Sequence, residues 1–155
     1  MSRLLLPLIA ILTTLCVFGW LWVNFMPLDP ERWSIDPAGA ERKPSPNSFL
    51  VAPEGATSAK PDIPSSVYSQ DPATLLERFS EIALGAPKVT ELSEPGSAVR
   101  TFVQRSRLIG FPDYITVKAL PVEDGAALIV FSRSQYGYSD WGVNEKRVKD
   151  WLSKL

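Results

Sequence analysis

The sequence predicts an α+β domain: a two-layer sandwich of a four-stranded antiparallel sheet and two helices, in the order α-β-β-β-β-α. A single transmembrane helix and a proline-rich linker precede it. Three observations carry this expectation. Apolar residues recur at helical spacing at both ends of residues 71–155. Four strand-like runs lie between them, separated by short turns. Upstream, an apolar run without charge gives way to a stretch in which proline forbids any long helix. The expected organisation is an anchor over 1–26, an extended linker over 27–70 and a globular domain over 71–155.

The anchor comes first. Leu4 to Met26 is 23 residues without a charge. At about 1.5 Å per residue, 20 of them cover the ~30 Å hydrocarbon core of a bilayer. Trp20 and Trp22 lie at the far end, where amphipathic rings favour the headgroup level. Arg3 precedes the run, and Asp29 and Glu31 follow it. That bias predicts a single-pass protein with its N-terminus in the cytoplasm and its domain on the periplasmic side of an inner membrane. A retained span is favoured over three competitors. A cleaved signal peptide would have a shorter apolar region and a small-x-small site, which nothing after this run supplies. A lipid-modified Cys16 would follow a small residue, whereas Leu15 is bulky. A buried core helix this long is too large for so small a domain.

Residues 27–72 contain nine prolines, spaced so that no helix can run through them. An extended, semi-rigid arm is expected. Trp33–Pro37 and Phe49–Val51 are apolar islands in it, read as docking on the domain or pairing at a sheet edge, with a partner-binding peptide as the alternative.

Asp71-Pro72 starts a helix, with Asp as N-cap and Pro in the first turn. Leu75, Leu76, Phe79, Ile82 and Ala83 form its apolar stripe, and Gly85 and Pro87 stop it. Lys88–Ser93 and Ala98–Arg107 read as strands joined by Glu94-Pro95-Gly96-Ser97. Asp113–Leu120 alternates, Ala126–Ser132 is almost continuously apolar, and Glu123-Asp124-Gly125 joins these two as a hairpin. A last helix begins near Gly142, with Val143, Val148, Trp151, Leu152 and Leu155 available for its buried stripe.

Composition excludes several chemistries. Histidine is absent and Cys16 is the one cysteine, which removes His-based acid/base catalysis, Ser-His-Asp and Cys-His nucleophiles, a disulfide and thiolate or imidazole metal sites. Net charge is −1, and residues 71–155 carry eleven basic and eleven acidic groups, so nothing points to nucleic acid. No glycine-rich phosphate loop and no Ser-x-x-Lys pair occurs. The domain's carboxylates are scattered, so neither a metal nor another cofactor is expected.

The focus is residues 132–147, a polar and aromatic stretch that leaves an apolar strand and enters the last helix. The candidate ligand-binding residues are Arg105, Arg107, Arg133, Asp140, Asn144 and Arg147. Arg105 and Arg107 share parity on their strand, and arginine's planar fork suits carboxylate and phosphate. The helix start adds free N–H groups. The competing reading pairs these arginines with Asp113, Asp140 or Glu145 as structural bridges. Ser139 or Asp140 is a good N-cap. Tyr136, Tyr138 and Trp141 either seal the strand–helix corner or stack on a ligand.

Arg105-Ser106, then Gly110 to Tyr114, then Phe131 to Val148 together resemble the domain-of-unknown-function family DUF1499. Its Ser-Arg-Ser-x-x-Gly-x-Ser-Asp-x-Gly-x-Asn-x-x-Arg pattern falls on Ser132, Arg133, Ser134, Gly137, Ser139, Asp140, Gly142, Asn144 and Arg147. Trp141 stands where the family usually has Leu. With Asp113, the residues Ser132, Ser134, Gly137, Ser139 and Gly142 are expected to build the corner. The arrangement of span, linker and domain resembles bacterial members, and the resemblance implies no reaction, substrate or cofactor. The expected function is a membrane-tethered, non-enzymatic binding module of the cell envelope. Its partner would be an anionic lipid, a small metabolite or another envelope protein. The alternatives are a hydrolase or isomerase using Asp113 or Asp140 with an arginine, and a structural assembly module.

Overall fold

The computed structural model describes residues 2–155, with side chains described from residue 5 onward. Helix α1 (Ser2–Phe25) is followed by a short α2 (Pro30–Trp33) and a 3-10 turn at Pro37–Gly39. The sheet then begins with β1 (Ser48–Ala52), β2 (Ile63–Pro64) and β3 (Val67–Tyr68). Helix α3 (Pro72–Leu84), strands β4 (Val89–Glu91), β5 (Val99–Arg105), β6 (Pro112–Val122) and β7 (Gly125–Ser134), and helix α4 (Val143–Leu152) complete the chain.

The sheet is not the four-stranded antiparallel one that the sequence predicts. It is a single mixed sheet of seven strands in the order β2-β1-β7-β6-β5-β4, with β3 also pairing β7. The additional strands come from the proline-rich segment. β1 runs antiparallel to β7, with Ser48 opposite Arg133 and Val51 opposite Val130, and β2 runs parallel to β1. The physical reason lies in β7, whose residues Ala126 to Ser134 are all buried. A strand buried on both faces needs a neighbour along each edge, or its N–H and C=O groups go unpaired. β6 takes one edge of β7. β1 takes the other, where Pro46 and Pro53 bracket a proline-free run just long enough to pair.

Both helices cover one face, as predicted. Asp71 caps α3 by accepting from the amides of Ala73 and Thr74 at 3.0 Å each. Leu75, Phe79, Val148 and Trp151 pack on Phe49, Val51, Phe102, Ile115, Leu128 and Val130 of the sheet, and Trp151 meets Phe79 edge-on at 5.8 Å. Val143, expected in the buried stripe of α4, is instead exposed, and Asn144 and Arg147 take the buried positions.

The opposite face is covered by the proline-rich segment. Leu50, Ala52, Ile129 and Phe131 pack under Ala40, Ile35 and Ala38. Trp33 lies flat on Tyr114, with ring centres 4.1 Å apart and planes 3° from parallel. Burying an aromatic of this size removes roughly 150–250 Å² from water, on the order of 4–6 kcal/mol as an upper figure. The apolar islands at 33–37 and 49–51 are thus part of the packed unit.

Helix α1 contains an apolar stretch, Leu5–Phe25, long enough to cross a membrane, and none of it is buried in the protein. Its last turn touches the sheet. Arg105 Nη1 donates to Val23 O at 2.9 Å, satisfying a carbonyl the helix end leaves free. Asn24 Nδ2 donates to Ile109 O at 2.8 Å.

Candidate functional site

Pleating separates the candidate residues. On β7, Ser132 and Ser134 face α4, and Arg133 between them faces Trp33. On β6 the same alternation sends Asp113 toward α4 and Tyr114 toward Trp33. The six candidates therefore do not form one surface.

Under α4 lies a closed polar network. Asn144 is fully buried; its Oδ1 accepts from Ser132 Oγ at 2.6 Å, and its Nδ2 donates to Asn47 O at 3.0 Å and Ser134 Oγ at 3.1 Å. Arg147 Nη1 donates to Asn144 Oδ1 at 2.6 Å and Ser132 Oγ at 3.0 Å, Nη2 to Asp113 Oδ2 at 2.6 Å, and Nε to Gln104 Oε1. Asn47 closes the assembly by donating from Nδ2 to Gly137 O at 2.7 Å. The N-cap of α4 is Gly142 and not Ser139 or Asp140 as expected; Asp140, two residues earlier, accepts from the amides of Gly142 at 3.0 Å and of Asn144, in the first turn, at 2.8 Å. Ser139 Oγ accepts from Trp141 N at 3.3 Å, and Gly137 and Gly142 take left-handed conformations at φ +88° and +77°. These residues build a rigid corner in which arginine and carboxylates bond to the protein itself. Trp141, 94% exposed, and Tyr138, 76% exposed, do not seal it, whereas Tyr136 packs against Phe111 with ring centres 5.5 Å apart.

Arg133 is held differently. It is 8% exposed, donates from Nη2 to Trp33 O at 2.5 Å and from Nη1 to Thr116 Oγ1 at 3.1 Å, and lies against the rings of Trp33 and Phe131 at 5.4 and 4.9 Å. Among the described residues it has no carboxylate partner. Burial pulls its pKa down to about 10, so it remains a cation at neutral pH. Beside it opens a cavity of about 190 Å³ walled also by Arg32, Lys43, Glu41, Asn47 and Ser48. The Ser48 hydroxyl is buried without a hydrogen-bond partner.

Arg105 and Arg107 fall elsewhere again. β5 ends at Arg105, so the parity that would align Arg107 with it no longer applies. Both border an open groove of about 540 Å³ shared with Lys88, Gln104, Asp113 and Arg147. Ser106, also on that groove, uses its Oγ to accept from the amides of Gly110 and Phe111. No group of His, Cys, Asp or Glu able to hold a metal occurs among the described residues.

Sequence reasoning missed Asn47, Lys43 and Ser48, and it read Trp33 as part of a docking apolar island without linking it to Arg133. Nothing local marks these roles, because they depend on a segment some 90 residues upstream folding back beside β7.

No curated protein and no solved structure matches the chain. A family model described as "Protein of unknown function (DUF1499)" matches residues 40–155, which takes in β1 and the buried network but leaves out Arg32, Trp33 and Ile35 of the Arg133 cavity wall. The chain belongs to the DUF1499 family.

Proposed function

We propose that this protein is a single-pass, membrane-tethered binding module of a bacterial cell envelope, which captures a small anionic group in the cavity beside Arg133. The tether is the Leu5–Phe25 stretch. Arg3 before it and Asp29 and Glu31 after it favour a cytoplasmic N-terminus and a domain on the periplasmic side of an inner membrane. The observation that carries the reading is a buried guanidinium with no carboxylate partner. An uncompensated buried charge costs several kcal/mol, and an anion in the adjoining cavity offsets that cost. Arg32 and Lys43 add positive charge against the single carboxylate of Glu41. At about 190 Å³ the space is smaller than the ~300–1,000 Å³ of sites for drug-sized molecules, which suits a head group or small metabolite.

The test is thermal unfolding of the full chain in detergent micelles, with inorganic phosphate or a short dicarboxylate as probe. An anion present at 100 times its Kd stabilises the wild type by about 2.7 kcal/mol. Arg133→Met abolishes that gain and leaves the unliganded melting temperature nearly unchanged, because an unpaired buried charge disappears with it. Equal shifts in wild type and variant, or none in either, would overturn the reading.

A structural role for the corner has its own support. Arg147, Asp113, Asn144 and Ser132 bond to one another and leave little of their hydrogen-bonding capacity for a ligand. The hydrolase or isomerase reading draws on Asp113 and Arg147 bordering the 540 Å³ groove. In it, Asp113→Asn rather than Arg133→Met is the change that removes activity.

A further inference from the structure

One end of the sheet gathers the chain's unburied apolar side chains. Among the described residues, nine large apolar side chains outside α1 are exposed, and eight of them lie at the end where β5 stops, β6 starts and β7 stops; Val67 is the exception. The β5–β6 loop presents Leu108 at 85% exposure, Ile109 at 48% and Phe111 at 38%. The β7–α4 connection adds Tyr138 and Trp141, and α4 begins with an exposed Val143. Trp141 is held with φ +56°, a conformation a bulky residue adopts only at a cost, and the result is an indole thrust clear of the domain.

Helix α1 leaves the domain at this same end. Its last turn is fastened to the β5–β6 loop through Asn24 and Ile109, to β5 through Arg105 and Val23, and to the β7–α4 connection through Met26 and the Tyr136 hydroxyl at 3.8 Å. Gly110, at φ +87°, packs so closely on the Asn24 side chain that any Cβ would collide with it. The apolar stretch of α1 has 21 residues, about 31 Å at ~1.5 Å each, against a hydrocarbon core of ~30 Å. Asn24 therefore stands at the boundary of the core, and the loop bonded to it stands at headgroup depth.

We infer that this end of the domain docks on the phospholipid surface from which α1 emerges, with Leu108, Ile109 and Trp141 entering the headgroup layer. This rests on the proposed membrane span. The chemistry fits a bilayer surface: aliphatic tips for the acyl boundary, tyrosine and tryptophan rings for the interface, and the cations Lys88 and Arg107 at the rim for lipid phosphates. Of the carboxylates at this end, Asp113 on the groove is paired with Arg147, and Asp140 spends its oxygens on the amides of Gly142 and Asn144. The domain then sits against the membrane with a fixed orientation and does not swing at the end of an arm. The open groove walled by Lys88, Arg105 and Arg107 faces the headgroups.

The experiment uses the full chain with Cys16→Ala, reconstituted in vesicles of phosphatidylcholine and phosphatidylglycerol. Single cysteines (Leu108→Cys, Trp141→Cys, or Val67→Cys at the opposite end) carry an environment-sensitive fluorophore. Labels at 108 and 141 are expected to lose quenching by aqueous iodide and to be quenched by brominated acyl chains, whereas the label at 67 shows the reverse. Iodide quenching at 108 and 141 equal to that at 67 overturns docking. So does protection from iodide without quenching by brominated lipid, which would mean burial against protein. Alkaline carbonate extraction of the same vesicles separates the two levels: release of the chain overturns the span itself, and retention with iodide-quenched labels overturns docking alone.

Discussion

Replacing Arg147 by alanine tests whether the buried network under α4 holds the fold. The side chain is 6% exposed and donates to Asp113, Asn144, Ser132 and Gln104. Alanine leaves the Asp113 carboxylate, on a side chain 13% exposed, without its ion-pair partner. Removing one partner of a buried ion pair costs about 3–5 kcal/mol, most of it the penalty of the charge left behind. For a domain near this size that corresponds to a fall in melting temperature on the order of 10–20 °C. The assay is thermal unfolding of the full chain in detergent micelles, followed by near-UV circular dichroism, which reports packing of the buried Trp33 and Trp151. Asp113→Asn in the Arg147→Ala background should recover part of the loss, because it removes the uncompensated charge, so the two changes are strongly non-additive. A melting temperature within about 3 °C of wild type for Arg147→Ala would refute the reasoning. So would additive losses in the double variant. Either result would free the corner's polar residues for a ligand.

Two further outcomes follow from the covered face. Trp33→Ala should destabilise the domain by about 3–5 kcal/mol, since it empties the stack on Tyr114 and uncovers Arg133, and denaturant titration reads it directly. A loss under about 1 kcal/mol would mean that the proline-rich segment merely lies on the sheet. The Asp36 carboxyl is held below its ordinary range chiefly by the hydrogen bond from Lys118, at 2.6 Å, against an opposing push from partial burial. A depressed carboxyl stabilises the fold fully above its unfolded value near ~4, and that contribution is lost as pH falls through the lower folded value. The Asp36 side chain is half exposed and that of Lys118 partly so, at 50% and 27%, and the contribution stays below about 1 kcal/mol and is screened by salt. Lys118→Met should flatten the acid side of the stability–pH curve by that small amount, and an unchanged curve would remove the pair from the account.

Helices α3 and α4 and the strand runs that became β4 to β7 were readable because each is written locally. Asp71-Pro72 opens a helix wherever it precedes an apolar stripe, and the turns before Ala98 and Ala126 carry their own punctuation. The place of the corner at 132–147, between β7 and α4, was readable too, although the N-cap of α4 is Gly142 and not Asp140. The extra strands were not. β1 is five residues among prolines, and it becomes a strand because the free edge of β7, about 80 residues away, needs hydrogen bonds. The arginines divide for a related reason. Parity on β7 places Arg133 opposite to Ser132, but only the packing of α4 on one face decides that Arg147 joins Ser132 while Arg133 meets Trp33.

What the amino-acid order determined alone is whatever depends on near neighbours: an apolar stretch long enough to span a bilayer, the helix starts and stops, the turns, and the absence of histidine chemistry. Tertiary structure decided which buried charge has a partner and which does not. An ion pair between Arg147 and Asp113, 34 positions apart, and a lone Arg133 in a cavity roofed by Trp33, 100 positions away, are products of long-range pairing, and no local pattern encodes them.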